Sequence, residues 1–145
     1  KSGKINELIL NQTLDNFSIE NYKSSLPPSL DIKDFDISFV RGLSLEDGAA
    51  TLTEFTAKIF SNKNLYKNIY ACGGGRKNKF LLKSIEKVIN CKIKLIDELN
   101  VDGDFIESQA FAFLAIRSLE GMPISFPGTT RCKEPLTGGV SVNNF

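Results

Sequence analysis

The stretch that most limits what this chain can become is Ile69-Tyr70-Ala71-Cys72-Gly73-Gly74-Gly75-Arg76-Lys77-Asn78. A β-prone apolar run meets three successive glycines and passes into Lys79 to Ile89, where Leu81, Ile85, Val88 and Ile89 recur at helical spacing. That order predicts strand, glycine turn, helix. Glycine carries no Cβ, so its backbone can take positive φ and a ligand can approach its N–H groups closely. The first N–H groups of the next helix would face an anion or the polar edge of a heterocycle. Equally, the glycines could form a tight turn with Asn78 as helix cap. The spacing satisfies neither GxGxxG nor GxxxxGK[ST], because Lys77 and Lys79 stand at the wrong positions.

The surroundings extend the pattern. Ser44-Leu45-Glu46-Asp47 reads as a cap, with the Ser44 hydroxyl meeting the Asp47 N–H and the Asp47 carboxylate returning to the Ser44 N–H. Behind it a helix aligns Ala49, Leu52, Phe55, Ile59 and Phe60 as its apolar stripe. Ser61 to Asn64 ends that helix, and Cys91 to Ile96 alternates apolar and polar residues as a second strand. Helix, strand, glycine turn, helix, strand implies a parallel α/β pair with a right-handed crossover. Ligands of such sheets sit at the carboxyl ends of the strands, where the glycines fall.

At the amino end, Lys4 to Leu14 places Ile5, Leu8 and Ile9 on one helical face, continued by Leu14 and Phe17. Pro27 and Pro28 forbid a helix through the next segment. The acidic run Asp31 to Asp36 lacks a glycine-turned loop and reads as solvated rather than as a metal site. Beyond the second strand, Phe105 to Arg117 reads as a helix apolar on every side over Ala110 to Ile116, hence buried and central. Glu107, its one charge near the start, has two readings. It pairs with an Asp104 N-cap, or it faces a cleft and accepts from a ligand hydroxyl. Gly121 ends that helix, and Ser125 to Gly139 wraps the surface.

Composition narrows the chemistry. The 145 residues suit one domain that buries roughly 70% of its unfolded surface. A net charge of +1 argues against nucleic acid or a polybasic membrane surface, and no apolar run nears the ~20 residues of a membrane span. Three cysteines without CxxC spacing suit free thiols in a reducing compartment. The absence of histidine removes Ser-His hydrolysis and zinc-histidine sites. Any proton chemistry falls to carboxylates or to groups from another chain segment. The missing initiator Met and a start inside a helix lead us to expect a fragment.

Cys72-Gly73-Gly74-Gly75 with Asn78, then Asp97-Glu98, then Glu107 with Ala110-Phe111-Ala112-Phe113-Leu114-Ala115 and Arg117, resembles the C-terminal part of anhydro-N-acetylmuramic acid kinases. Phe126-Pro127, Thr130, Pro135 and Gly138-Gly139 look like that family's end, and Leu45-Glu46-Asp47 with Ala50 to Ala57 is similar to the helix before its glycine loop. Pro27-Pro28-Ser29 and Asp34-Phe35 fall where the family carries a proline-rich active-site loop. The chain departs at Asn100, where glycine is frequent, at Ser108, where alanine is common, and at Arg131, where a glycine usually follows the threonine.

The resemblance implies one RNase-H-like lobe, over residues 1–145, of an actin/hexokinase-type kinase. The family opens 1,6-anhydro-N-acetylmuramic acid with water and phosphorylates it from ATP and Mg²⁺, giving N-acetylmuramic acid 6-phosphate in cytoplasmic cell-wall recycling. Carried over by position, Gly73, Gly74, Gly75 and Asn78 line the nucleotide site and Glu107 faces the sugar. The phosphate-binding loops and the catalytic aspartate belong to preceding sequence, so this chain alone is expected not to turn over. Its partner is then the missing N-terminal lobe, and a homodimer through the face that lobe would cover is the expectation for the fragment by itself. The alternatives are a dinucleotide-binding enzyme domain and a non-catalytic interaction module of the same fold.

Overall fold

The structure is a computed structural model that describes residues 3–17, 35–60 and 68–142. The elements run α1 (Glu7–Asn16), α2 (Leu45–Ile59), β1 (Ile69–Ala71), α3 (Lys79–Ile89), β2 (Ile93–Leu95), α4 (Ile106–Leu119) and the short α5 (Pro127–Thr130). Tight 3₁₀ turns occupy Ser38–Val40, Gly74–Lys77 and Ile96–Leu99. The proline segment, the Asp31–Asp34 part of the acidic run and Ser61–Asn64 lie outside the described residues.

β1 and β2 pair in parallel, with Ile69 opposite Ile93, Tyr70 opposite Lys94 and Ala71 opposite Leu95. Among the described residues this two-stranded sheet is the whole of the strand pairing apart from one bridge, Ser125 to Leu136. The chain is therefore a helix-rich α/β unit, as its order of elements predicts. Period-two alternation puts Ile69 and Ile93 against a core of Ala57, Ile85 and Ile89, joined by Leu81, Val88 and Cys91. The opposite face carries Tyr70, with the Lys94 ammonium 5.7 Å from its ring centroid. The Glu86 carboxylate accepts the Ile93 N–H at 2.8 Å, so α3 holds the start of β2 through its side chain as well as its apolar face.

α2 is the hub, packing on α3 with one flank and on α1 with the other. That two-sidedness corrects the expected single stripe. Phe55 is buried, but Ala49 and Phe60 are exposed, and Gly48, Ala50, Thr51 and Ala57 fill the interior instead. On α1 the inward residue is Leu10, fully buried, while Leu8 points to solvent. Phe17 and Phe39 close over Phe55 at centroid distances of 5.5 and 5.1 Å. At the start of α2 the Ser44 hydroxyl accepts the Asp47 N–H at 3.1 Å as expected. The Asp47 carboxylate does not return to Ser44. It accepts the Lys4 N–H at 2.6 Å, tying the segment before α1 to the head of α2.

Thr51 is fully buried at the same junction. Its hydroxyl donates to the Asp47 carbonyl at 2.7 Å and accepts the Asn6 N–H at 3.0 Å. Thr51→Val keeps the shape and leaves the Asn6 N–H without this acceptor, so it is expected to cost about 1–3 kcal/mol in a denaturant titration. A change below ~0.5 kcal/mol would mean that water replaces the hydroxyl.

The largest departure concerns α4. An all-round apolar helix is expected at the centre, yet no residue of α4 is buried. Phe111, Phe113, Ile116 and Leu119 are 61–72% exposed. Hydrophobicity sets what a helix needs to bury, and burial itself requires a second layer. Among the described residues the tail supplies part of that layer. Arg117 donates from Nε to the Pro123 carbonyl at 2.8 Å and lies over the rings of Phe113 and Phe126, and the Ser118 hydroxyl donates to the Gly138 carbonyl. The tail does wrap back, through the Ser125–Leu136 bridge.

Two of the departures from the family pattern now have a physical meaning. Asn100 and Arg131 both sit at left-handed φ, 58° and 61°. That is where glycine is the easy residue; asparagine tolerates the conformation and arginine is the more strained choice.

Candidate active site

The glycine turn leaves β1 at its carboxyl end. Gly73 has φ of 71°, so a left-handed residue reverses the strand, and Gly74–Lys77 follow as a 3₁₀ turn. The Asn78 side chain accepts the Leu81 N–H at 3.1 Å and starts α3. The tight-turn reading therefore accounts for Gly73 and for Asn78. It does not account for Gly74 and Gly75. Neither has a left-handed φ, and a Cβ built on either would meet no atom of the described residues within 4 Å. Packing among the described residues leaves these two positions free to carry side chains. Their emptiness bares a stretch of backbone at the strand end to whatever approaches from outside.

The turn is held from below by Arg76, whose side chain is only 7% exposed. Its Nε donates to Asp97 Oδ2 at 2.9 Å and its Nη2 to Asp97 Oδ1 at 3.2 Å, a two-pronged grip. Its Nη1 donates to Asp104 Oδ1 at 2.6 Å and to the Gly73 carbonyl at 3.0 Å. Lys77 takes the other Asp104 oxygen at 2.8 Å. The Gly73 N–H donates to the Gly103 carbonyl at 2.8 Å, which joins the two loops through the backbone as well. Gly103 is needed for this fit, since a Cβ there would lie 2.5 Å from Arg76 Nε.

Arg76 was not among the site residues expected from sequence, and Asp104 was assigned elsewhere. The N-cap of α4 is Phe105, with no side-chain cap bond, so Asp104 does not cap the helix and Glu107 does not complete a capping pair. Asp104 is drawn to the guanidinium instead, where it meets two cations, Arg76 and Lys77, rather than a single backbone N–H. The signal was present: parallel strands bring their carboxyl ends together, placing a cation just after the glycines beside the acidic Asp97–Asp104 run.

Arg76 holds the Asp104 and Asp97 carboxyls below their ordinary range, with Lys77 adding to the effect on Asp104. Conversely Asp104, followed by Asp97, raises the guanidinium pKa further. The sign of the pH effect follows. Folded-state carboxyl pKa values below the unfolded ~3.9 give stability that is present above about pH 4 and is lost as pH falls through the folded values. The melting midpoint of the wild-type chain is expected to fall more steeply between roughly pH 4 and 2 than that of Asp97→Asn. Parallel profiles would contradict the assignment.

Glu107 lies in the first turn of α4 and is exposed, and among the described residues its carboxylate has no hydrogen-bond or ion-pair partner. It follows Gly103 by four residues, so the element that carries it enters from the loop bonded to the glycine turn. No group of three or more His, Cys, Asp or Glu among the described residues could hold a metal ion, and Asp97 and Asp104 are already committed to Arg76. A shallow depression of about 390 Å³, lined by Lys83, Glu86, Lys87, Asn90, Cys91 and Lys92, lies at the other end of α3 and contains none of these residues. No described helix is long and apolar enough to cross a membrane.

Fold and site together define an α/β unit that offers an open glycine turn at the carboxyl end of a parallel strand pair, with Glu107 in the first turn of the helix that its bonded loop launches. Comparison with known proteins makes this specific. The family profile described as anhydro-N-acetylmuramic acid kinase matches residues 1–143. Relatives of that name include proteins of Pelagibacter ubique, 52% identical over 99% of this chain, and of Rhizorhabdus wittichii, 42% identical over 96%. A third, from Zymomonas mobilis, is 39% identical over 87% of the chain. The chain belongs to the anhydro-N-acetylmuramic acid kinase family. It spans about two fifths of the length of these curated relatives, 40%, 39% and 36% respectively.

Proposed function

We propose that this chain forms the C-terminal, RNase-H-like lobe of a cytoplasmic kinase. The whole protein opens 1,6-anhydro-N-acetylmuramic acid with water and transfers the γ-phosphoryl group of ATP, yielding N-acetylmuramic acid 6-phosphate. The observation that carries the reading is the side-chain-free surface at Gly74 and Gly75, glycines that nothing among the described residues requires. In this reading the backbone from Gly73 to Gly75 forms one wall of the nucleotide site, and the Asn78 cap sets the direction of α3 beneath it. Glu107 accepts a hydroxyl of the sugar, an interaction left open by the absence of a partner among the described residues.

The chain supplies walls and orientation rather than the reactive base. It has no histidine, and its carboxylates nearest the turn are bound to Arg76. Phosphoryl transfer needs the phosphates, the nucleophile and its orienting base held together. Those parts belong to the remaining three fifths of the protein in this reading. The bare surface of α4 supports the same division, since Phe111, Phe113, Ile116 and Leu119 demand a covering layer. The deciding experiment assays the intact protein for ATP-dependent phosphorylation of 1,6-anhydro-N-acetylmuramic acid, beside this chain alone. Turnover by the intact protein only is expected. No phosphorylated sugar from the intact protein would overturn the proposal.

A further inference from the structure

We infer that Arg76 is a positioning residue that makes the glycine turn and the α4 entry one rigid unit, fixing Gly73–Gly75 and Glu107 relative to each other. The inference rests on the nucleotide and sugar roles proposed for those residues. It starts from the donor count of a guanidinium, five N–H groups in a planar fork. Nε is used once, Nη1 twice and Nη2 once, on Asp97, Asp104 and the Gly73 carbonyl. With its side chain nearly buried, four of its five N–H groups on protein acceptors and Asp102 Oδ1 3.9 Å from Nη2, Arg76 is not placed to take a phosphate. Its reach is entirely between loops: the turn after β1, the turn after β2 at Asp97, and the loop before α4 at Asp104.

The geometry is over-determined at this point. The Gly73–Gly103 backbone bond and the lack of a Cβ at Gly103 both bring the loops to the separation that the guanidinium spans. Glu107 stands one turn into the helix that this loop launches, and α4 has no extensive packing against another described element to orient it. The Arg76 knot is thus the described contact that sets α4's entry against the glycine turn, while the tail contacts act further along. A lysine cannot substitute. Its single ammonium lacks the planar fork, so it would keep the charge and lose the two-pronged grip on Asp97.

The test uses the intact protein with Arg76→Lys and, as a milder second variant, Asp97→Asn. KM for ATP, KM for the anhydro-sugar, kcat and the melting midpoint are measured for each. Both KM values are expected to rise together, by about tenfold for Arg76→Lys, because small displacements of binding groups are costly. A merely structural role lowers the folded fraction, which reduces apparent kcat and leaves both KM values unchanged; that result overturns the inference. A rise confined to one substrate also overturns it, since the two walls would then move independently. Gly74→Val is run alongside. An unchanged KM for ATP in that variant overturns the nucleotide reading itself, whatever Arg76 does.

Discussion

Gly74→Val in the intact protein is expected to raise KM for ATP by about 10- to 100-fold while leaving the melting midpoint within ~2 °C of wild type. The two halves of this expectation have separate grounds. Gly74 has no left-handed φ and, among the described residues, open space where a Cβ would stand, so the branched side chain is expected to be accommodated. A ligand lying on that backbone cannot. Forcing extra carbons into a filled contact typically costs ~1–3 kcal/mol, which is the stated loss of affinity. The contrast with Gly73 sharpens the test. At φ of 71° a valine there is strained before any ligand arrives, so Gly73→Val should lower stability and affinity together. An unchanged KM for ATP in stable Gly74→Val would contradict the site.

Glu107→Gln is expected to reduce kcat/KM for the anhydro-sugar by about 10- to 100-fold, with KM for ATP and the melting midpoint little changed. The carboxylate is exposed and has no partner among the described residues, so its removal disturbs no contact that holds the fold. A hydrogen bond to a charged group contributes ~1.5–3 kcal/mol, and glutamine keeps an acceptor while losing the charge. Had Glu107 been the cap partner of Asp104, the same substitution would have frayed α4 and lowered stability. The two outcomes are separated by running kinetics and a thermal melt on one preparation. Unaltered kcat/KM with a lowered midpoint would return Glu107 to a structural role.

The architecture around the turn was legible because it rests on local rules. Apolar period, three glycines and an Asn cap put β1, the reversal and α3 close to their observed places. The β1–β2 pairing followed from the strand–helix–strand order. What escaped was set by contacts between distant residues. Leu10 rather than Leu8 faces inward because α2 lies on that side of α1, and α2 itself is two-sided because it has neighbours on both flanks. Asp104 looked like a cap from its spacing, since spacing carries no information about a guanidinium 28 residues earlier in the chain. α4 was read as central from composition alone. Composition reports the demand for burial, and among the described residues no residue of α4 meets it.

The site divides in the same way. Gly73, Gly74, Gly75, Asn78 and Glu107 were picked out of the sequence by turn chemistry and by resemblance. The structure adds Arg76, Asp97, Asp104 and Gly103 as the scaffold under them. It also separates glycines that the fold requires from glycines it does not, a distinction that three identical letters cannot carry.

The claim that most of this depends on is that adenine nucleotide rests on the Gly74–Gly75 backbone. The most direct measurement is the thermal midpoint of the intact protein and of its Gly74→Val variant, each with excess ATP or NAD, since a ligand of the native state must raise that midpoint. The account predicts a rise with ATP and none with NAD for the wild type, and a clearly smaller rise with ATP for Gly74→Val. An equal rise with ATP in both proteins, or a rise with NAD alone, would contradict it.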